Sequence, residues 1–100
     1  ISYKKSKLTT IGSSAFYGCT ALTKITLPKK LTMIYDKAFY GCKKLKTITV
    51  KSSKVSYVGT DVLKGIHKKA VIKVPKKKLK YYKTLFEGKG QKSPVKIKKD

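Results

Sequence analysis

A chain of 100 residues, 40% hydrophobic and 30% charged, can bury one modest core and has no room for a two-domain enzyme. Its charge is one-sided: 26 lysines, no arginine and only Asp36, Asp61, Glu87 and Asp100 on the acidic side leave a formal +22. With the four acids far apart and one His beside two Cys in the whole chain, paired-carboxylate catalysis and a self-contained four-ligand zinc site are all but excluded.

No apolar run approaches the ~18 residues of a membrane span. The chain opens on Ile1-Ser2-Tyr3, which aligns with Ile25-Thr26-Leu27, so it starts inside a repeating unit. The expectation is the C-terminal piece of a longer array, with any secretion leader upstream. The period is explicit. Ile11, Ala15, Phe16, Tyr17, Gly18, Cys19, Leu22 and Ile25 recur 23 residues later as Ile34, Ala38, Phe39, Tyr40, Gly41, Cys42, Leu45 and Ile48. A third, degenerate copy follows 24 residues on: Val58, Val62, Leu63, Ile66, Ile72 and Val74 keep apolar positions apolar, and Gly65 keeps the glycine.

In each copy Ser13, Asp36 or Thr60 stands where an N-cap side chain would start a single helical turn. Five residues on, Gly18, Gly41 or Gly65 stands where a left-handed residue would stop it. The alternation ending in Ile25-Thr26-Leu27, repeated in Thr47-Ile48-Thr49-Val50, predicts a short half-buried strand. Leu31 and Ile34 predict a second extended segment. A unit of this kind cannot bury its apolar face alone and must stack on its neighbours. After Pro75 the pattern changes: Leu79, Tyr82 and Phe86, with Leu85 beside them, predict one amphipathic helix of about three turns, ended by Gly88 or Gly90. Ser93-Pro94-Val95-Lys96-Ile97 then predicts a last strand beside Ile72 and Val74. The expected organisation is one continuous domain, with repeats over 1–75 and a helix-and-strand cap over 76–100.

Read from Ile11 to Pro28, the pattern Ile-Gly-x-x-Ala-Phe-x-x-Cys-x-x-Leu-x-x-Ile-x-Leu-Pro resembles the bacterial surface-antigen type of leucine-rich repeat, often called BspA-like. The resemblance covers roughly residues 8 to 75, and the Lys-rich tail is similar to the C-terminal caps of such proteins. Tyr35 in place of the usual Gly, and Val62-Leu63 with Ile66 in place of Ala-Phe and Cys, depart from the pattern. The resemblance implies an α/β fold: a right-handed leucine-rich-repeat solenoid of short parallel strands with single helical turns, closed by a C-terminal helix and strand. It also implies a secreted or cell-surface bacterial protein that binds other macromolecules, adhesion to host matrix proteins among them, without catalysis. No cofactor is expected.

Cys19 and Cys42 share a repeat position that the third copy fills with Ile66, which predicts core packing as free thiols rather than a disulfide or a metal site. His67, flanked by Lys68 and Lys69, is expected to be a solvated loop residue. Phe16 and Phe39 should point inward, with Tyr17 and Tyr40 at the margin, rather than form a base-stacking platform.

Strand alternation turns Ile25 and Leu27, Ile48 and Val50, Ile72 and Val74, Val95 and Ile97 toward the core. The residues between them form an outward column, Ser2, Thr26, Thr49, Lys73 and Lys96, with Lys24 beside it. This face, hydroxyl-lined at one end and cationic at the other, is the candidate site for a protein or anionic polymer: a host matrix protein, an acidic glycan or a cell-wall polymer. One rival reading is purely structural, a cap that terminates a longer array. A remote one is nucleic-acid binding, which the lack of arginine disfavours.

Overall fold

The computed structural model describes residues 8–91 and 95–100, so Ile1-Ser2-Tyr3, with the candidate Ser2, and Ser93-Pro94 lie outside the described residues. The strands, in chain order, are β1 (Thr10–Ile11), β2 (Lys24–Leu27), β3 (Met33–Ile34), β4 (Thr47–Val50), β5 (Tyr57–Val58), β6 (Val71–Val74) and β7 (Lys96–Lys99). They form two parallel sheets, β1-β3-β5 and β2-β4-β6-β7. Equivalent residues of successive copies pair directly: Ile25 with Ile48, Ile48 with Ile72, Ile11 with Ile34 and Ile34 with Val58. Short parallel strands stacked copy on copy fit an α/β repeat solenoid.

The register also locates the residue that stretches the third copy. Leu27 pairs with Val50, 23 positions on, whereas Met33 pairs with Tyr57, 24 positions on. The extra residue therefore lies in the connection 51–54. That connection carries Ser52, a polar residue with no solvent exposure. Its hydroxyl donates to the Leu31 carbonyl and accepts the Lys54 amide, so a loop one residue too long is tied down rather than looped out.

The expected single helical turn is instead a run of tight turns laddered to the next copy. Alternate amides bond locally, Ala15 to the Gly12 carbonyl and Tyr17 to that of Ser14. The amides between them cross over, Ser14 to the Asp36 carbonyl, Phe16 to Ala38 and Gly18 to Tyr40. A continuous helix is incompatible with this because Ser14, Lys37 and Asp61, just after the presumed caps, are left-handed at φ 58°, 58° and 56°. The glycine reading holds: Gly18, Gly41 and Gly65 have φ of 68°, 76° and 82°.

Inward-pointing residues of both sheets and of the turn segment share one apolar cluster, with Leu27, Leu31, Ile34, Leu45, Val50 and Ile72 fully buried. Phe16 and Phe39 stack inside it, ring centroids 5.5 Å apart and planes 8° from parallel. After Pro75 a 3₁₀ turn (Lys76–Lys78) leads into α1 (Leu79–Leu85), ten helical residues in all and close to the three turns expected. Its Tyr82 and the following Phe86 complete the cluster, edge to face at 6.0 Å.

β7 corrects the expected position of the last strand. Val95 and Ile97 were expected beside Ile72 and Val74, but Ile97 pairs with Ile72, and Val74 pairs with Lys99. The face assignment survives because a two-residue shift preserves alternation. Two contacts of Asp100 accompany this register: its amide bonds to the Val74 carbonyl, and its carboxylate meets the Lys51 ammonium at 3.1 Å.

Candidate binding face

Outward positions of the four-stranded sheet form two columns. One runs Thr26, Thr49, Lys73, Lys98; the other runs Lys24, Thr47, Val71, Lys96. From Thr26 to Lys73 the strand register aligns the residues of the expected column, the next residue in it is Lys98 rather than Lys96, and Ser2 lies outside the described residues. Lys96 terminates the neighbouring column, whose opposite end is Lys24. Lys98 was missed because the two-residue offset of β7 goes with contacts of Asp100 that alternation alone does not encode. Lys24, Lys96 and Lys98 are exposed, and Thr26, Thr49 and Lys73 are half-buried between their neighbours. Adjacent rungs are ~4.8 Å apart, so Lys73 and Lys98 present neighbouring ammoniums with no carboxylate in either column.

Two of the four acids, Asp36 and Asp100, have partners of their own. Asp36 Oδ1 accepts the Thr60 amide at 2.9 Å and the Tyr57 hydroxyl at 3.4 Å, so the presumed cap ties its own copy to the next one. The Asp36 charge is the main reason the exposed Tyr57 phenol is raised above the ordinary tyrosine range. Asp100 is held by Lys51. Among the described residues no three His, Cys, Asp or Glu side chains gather as metal ligands would, and no helix is long and apolar enough to cross a membrane.

Away from the strand face, Tyr17 and Tyr40 lie at the margin as expected, but they also stack on one another, centroids 4.8 Å apart and planes 1° from parallel. Tyr17 is 54% exposed. The third copy places Lys64 where a third ring would stand, and its ammonium lies 5.8 Å from the Tyr40 centroid. Both cysteines are free. Cys42 is fully buried and its thiol donates to the Phe16 carbonyl at 3.0 Å, while Cys19 is only partly buried. Burial pushes the Cys42 thiol up, and the neighbouring Cys19 amide partly offsets this. His67 is partly buried rather than fully solvated, its Nδ1 accepting the Lys69 amide at 3.0 Å.

The model of the BspA type leucine rich repeat region (6 copies) matches residues 1–100, while neither a curated protein nor a solved structure matches the chain. A family match along the whole sequence, on short parallel strands that pair copy to copy at spacings of 23 and 24 residues, makes this chain a member of the BspA type leucine-rich repeat family.

Proposed function

We propose that this chain is an extracellular or cell-surface module that docks an anionic partner, an acidic protein patch or an acidic glycan or wall polymer, on the outward face of its four-stranded sheet. Repeats of this family are typically non-enzymatic protein-interaction modules. The observation that carries the reading is the pair of columns, Thr26, Thr49, Lys73 and Lys98 with Lys24 and Lys96 beside them, which contain no acid; the acid next along β7, Asp100, is already paired with Lys51. Hydroxyls supply hydrogen bonds, and closely spaced ammoniums gain by neutralising one another's repulsion through a bound anion. Replacing Lys73 and Lys98 together by Gln should weaken binding of a poly-glutamate peptide more than replacing the exposed Lys29 and Lys44, which lie in neither column, and binding should fall steeply with salt as the Debye length contracts to ~8 Å. Equal losses from the two pairs would reduce the attraction to the diffuse field of the whole chain.

A second reading, that residues 76–100 serve to close a right-handed array as one continuous domain with 1–75, draws support from two contacts. Tyr82 and Phe86 sit in the core of the repeats, and the Lys-rich β7 takes the outer edge of the sheet, where charge deters further pairing. Right-handed crossover is the strong preference for parallel strands in one sheet. The two readings part on the lysines: loss of poly-glutamate binding on Lys73→Gln with Lys98→Gln at unchanged melting temperature fits the docking face, and unchanged binding fits a purely structural role.

A further inference from the structure

The stacked tyrosine column ends abruptly, and a cleft of about 420 Å³ opens where it stops. In two successive copies the turn carries a tyrosine, Tyr17 then Tyr40, with rings 4.8 Å apart. The third copy has Lys64 at that position and Ile66 where its predecessors have Cys. Tyr17 covers one face of the Tyr40 ring, and among the described residues the third copy sets Lys64, not an aromatic ring, at the next position of the stack. Tyr40, Ile66 and Val95 give the cleft apolar walls, and Lys43, Lys64 and Lys68 stand at it with no carboxylate among the described lining residues. Its size falls in the ~300–1,000 Å³ range typical of small-molecule sites, which pair apolar walls with a few charged groups.

We propose that this cleft binds a planar aromatic acid, whose ring continues the Tyr17–Tyr40 stack and whose carboxylate or sulfonate is met by the lysines at the rim. The geometry supplies both halves. On the Tyr40 face turned toward the third copy the flexible Lys64 side chain stands in place of a ring, and a ligand ring that displaces it would stack on Tyr40, the arrangement in which aromatic pairs gain beyond their buried area. The ammoniums of Lys37 and Lys64 lie over the Tyr40 ring, 5.7 and 5.8 Å from its centroid, a weak cation–ring contact. An aromatic anion replaces this weak cation–ring contact with ring stacking and full charge pairing. A neutral aromatic gains only the stack, and an aliphatic anion only the charge.

The test titrates the protein with 2-naphthoate and, separately, with the neutral 2-naphthylmethanol and with acetate, followed by amide and ring shifts in NMR. Saturable shifts confined to Tyr40, Gly41, Gly65 and Ile66 are expected, with the alcohol binding about tenfold more weakly and acetate leaving those signals unmoved. Tyr40→Leu should weaken naphthoate about fivefold or more. Lys43→Gln with Lys68→Gln should weaken it about tenfold while the alcohol is unaffected; both sites are exposed, so this arm decides the matter even if Tyr40→Leu fails to fold. Non-saturable shifts spread over surface lysines would overturn the site, as would an equal loss from Lys73→Gln with Lys98→Gln. Equal affinity for the alcohol would overturn the choice of an anion. Self-association in sedimentation runs that removes the same signals would assign the cleft to a second copy of the chain.

Discussion

The Tyr82 hydroxyl donates to the Ser52 carbonyl at 2.6 Å and accepts the Val55 amide at 3.2 Å, fastening α1 to the connection that carries the extra residue of the third copy. Both partners are buried, so Tyr82→Phe strands a carbonyl and an amide at once. The expected cost is about 1–3 kcal/mol in denaturant unfolding. A loss under ~0.5 kcal/mol would mean that water replaces the phenol. Alkali gives a second reading. Burial pushes the Tyr82 phenol above the ordinary tyrosine value near 10, so its contribution is full below about pH 10 and is lost as pH rises toward the folded-state value, because the unfolded chain ionises first. Lysine deprotonation relieves repulsion in the same range. The comparison is therefore wild type against Tyr82→Phe, and their stability difference should shrink above pH 10.

Phe39 is buried between copies and stacked on Phe16, so Phe39→Ala should cost about 3–5 kcal/mol through the cavity it leaves. Tyr17, exposed at the end of its stack, should cost less than about 1 kcal/mol on the same truncation. Chemical denaturation of both variants checks the pair; similar losses would refute the inward and marginal assignments together.

Native-state thiol labelling should separate two cysteines that occupy the same repeat position. Cys19, partly exposed, should react first, and Cys42, buried and with its thiol pushed up, only as the protein unfolds. Cys42→Val should cost at most about 1 kcal/mol, since the Phe16 carbonyl still accepts the Cys19 amide at 3.1 Å. Simultaneous labelling of both thiols in native buffer would count against this packing.

Gly12, Tyr35 and Gly59 occupy one repeat position but different surroundings. A Cβ on Gly12 would meet nothing within 4 Å, whereas on Gly59 it would collide with the Asp36 carboxylate and lie 2.7 Å from the Asp36 amide nitrogen. Gly12→Ala should therefore be nearly silent, and Gly59→Ala should cost about 1–3 kcal/mol as overpacking displaces Asp36 from the Thr60 amide. Thermal unfolding of the two variants side by side is the measurement, and equal melting temperatures would contradict it.

Periodicity carried most of this architecture, because a 23-residue period in Ile, Phe, Gly and Leu has few physical solutions other than stacked copies. Strand faces were legible from alternation, and left-handed glycines from their fixed place after the aromatic pair. What alternation could not convey was coupling between copies. Asp36 reads as a helix cap in isolation, yet its partners are Tyr57 and Thr60 of the next copy. Lys98 joins the outward column through a two-residue offset of β7 that goes with Asp100 contacts to Lys51 and Val74, residues far away in sequence. Ser52 resembles any loop serine until the burial of its hydroxyl against Leu31 and the approach of Tyr82 are seen.

The lock between Tyr82 and the 51–54 connection determines where such a protein can grow. Duplicating a unit ahead of residue 46 leaves both halves of the lock downstream of the insertion, and they move together. Inserting a unit between residues 58 and 75 would carry Tyr82 one rung, ~4.8 Å, away from Ser52 and leave Val55 without its acceptor. A unit duplicated ahead of residue 46 is therefore expected to leave stability unchanged, and one inserted between residues 58 and 75 to lower it by breaking the Tyr82 contacts with Ser52 and Val55.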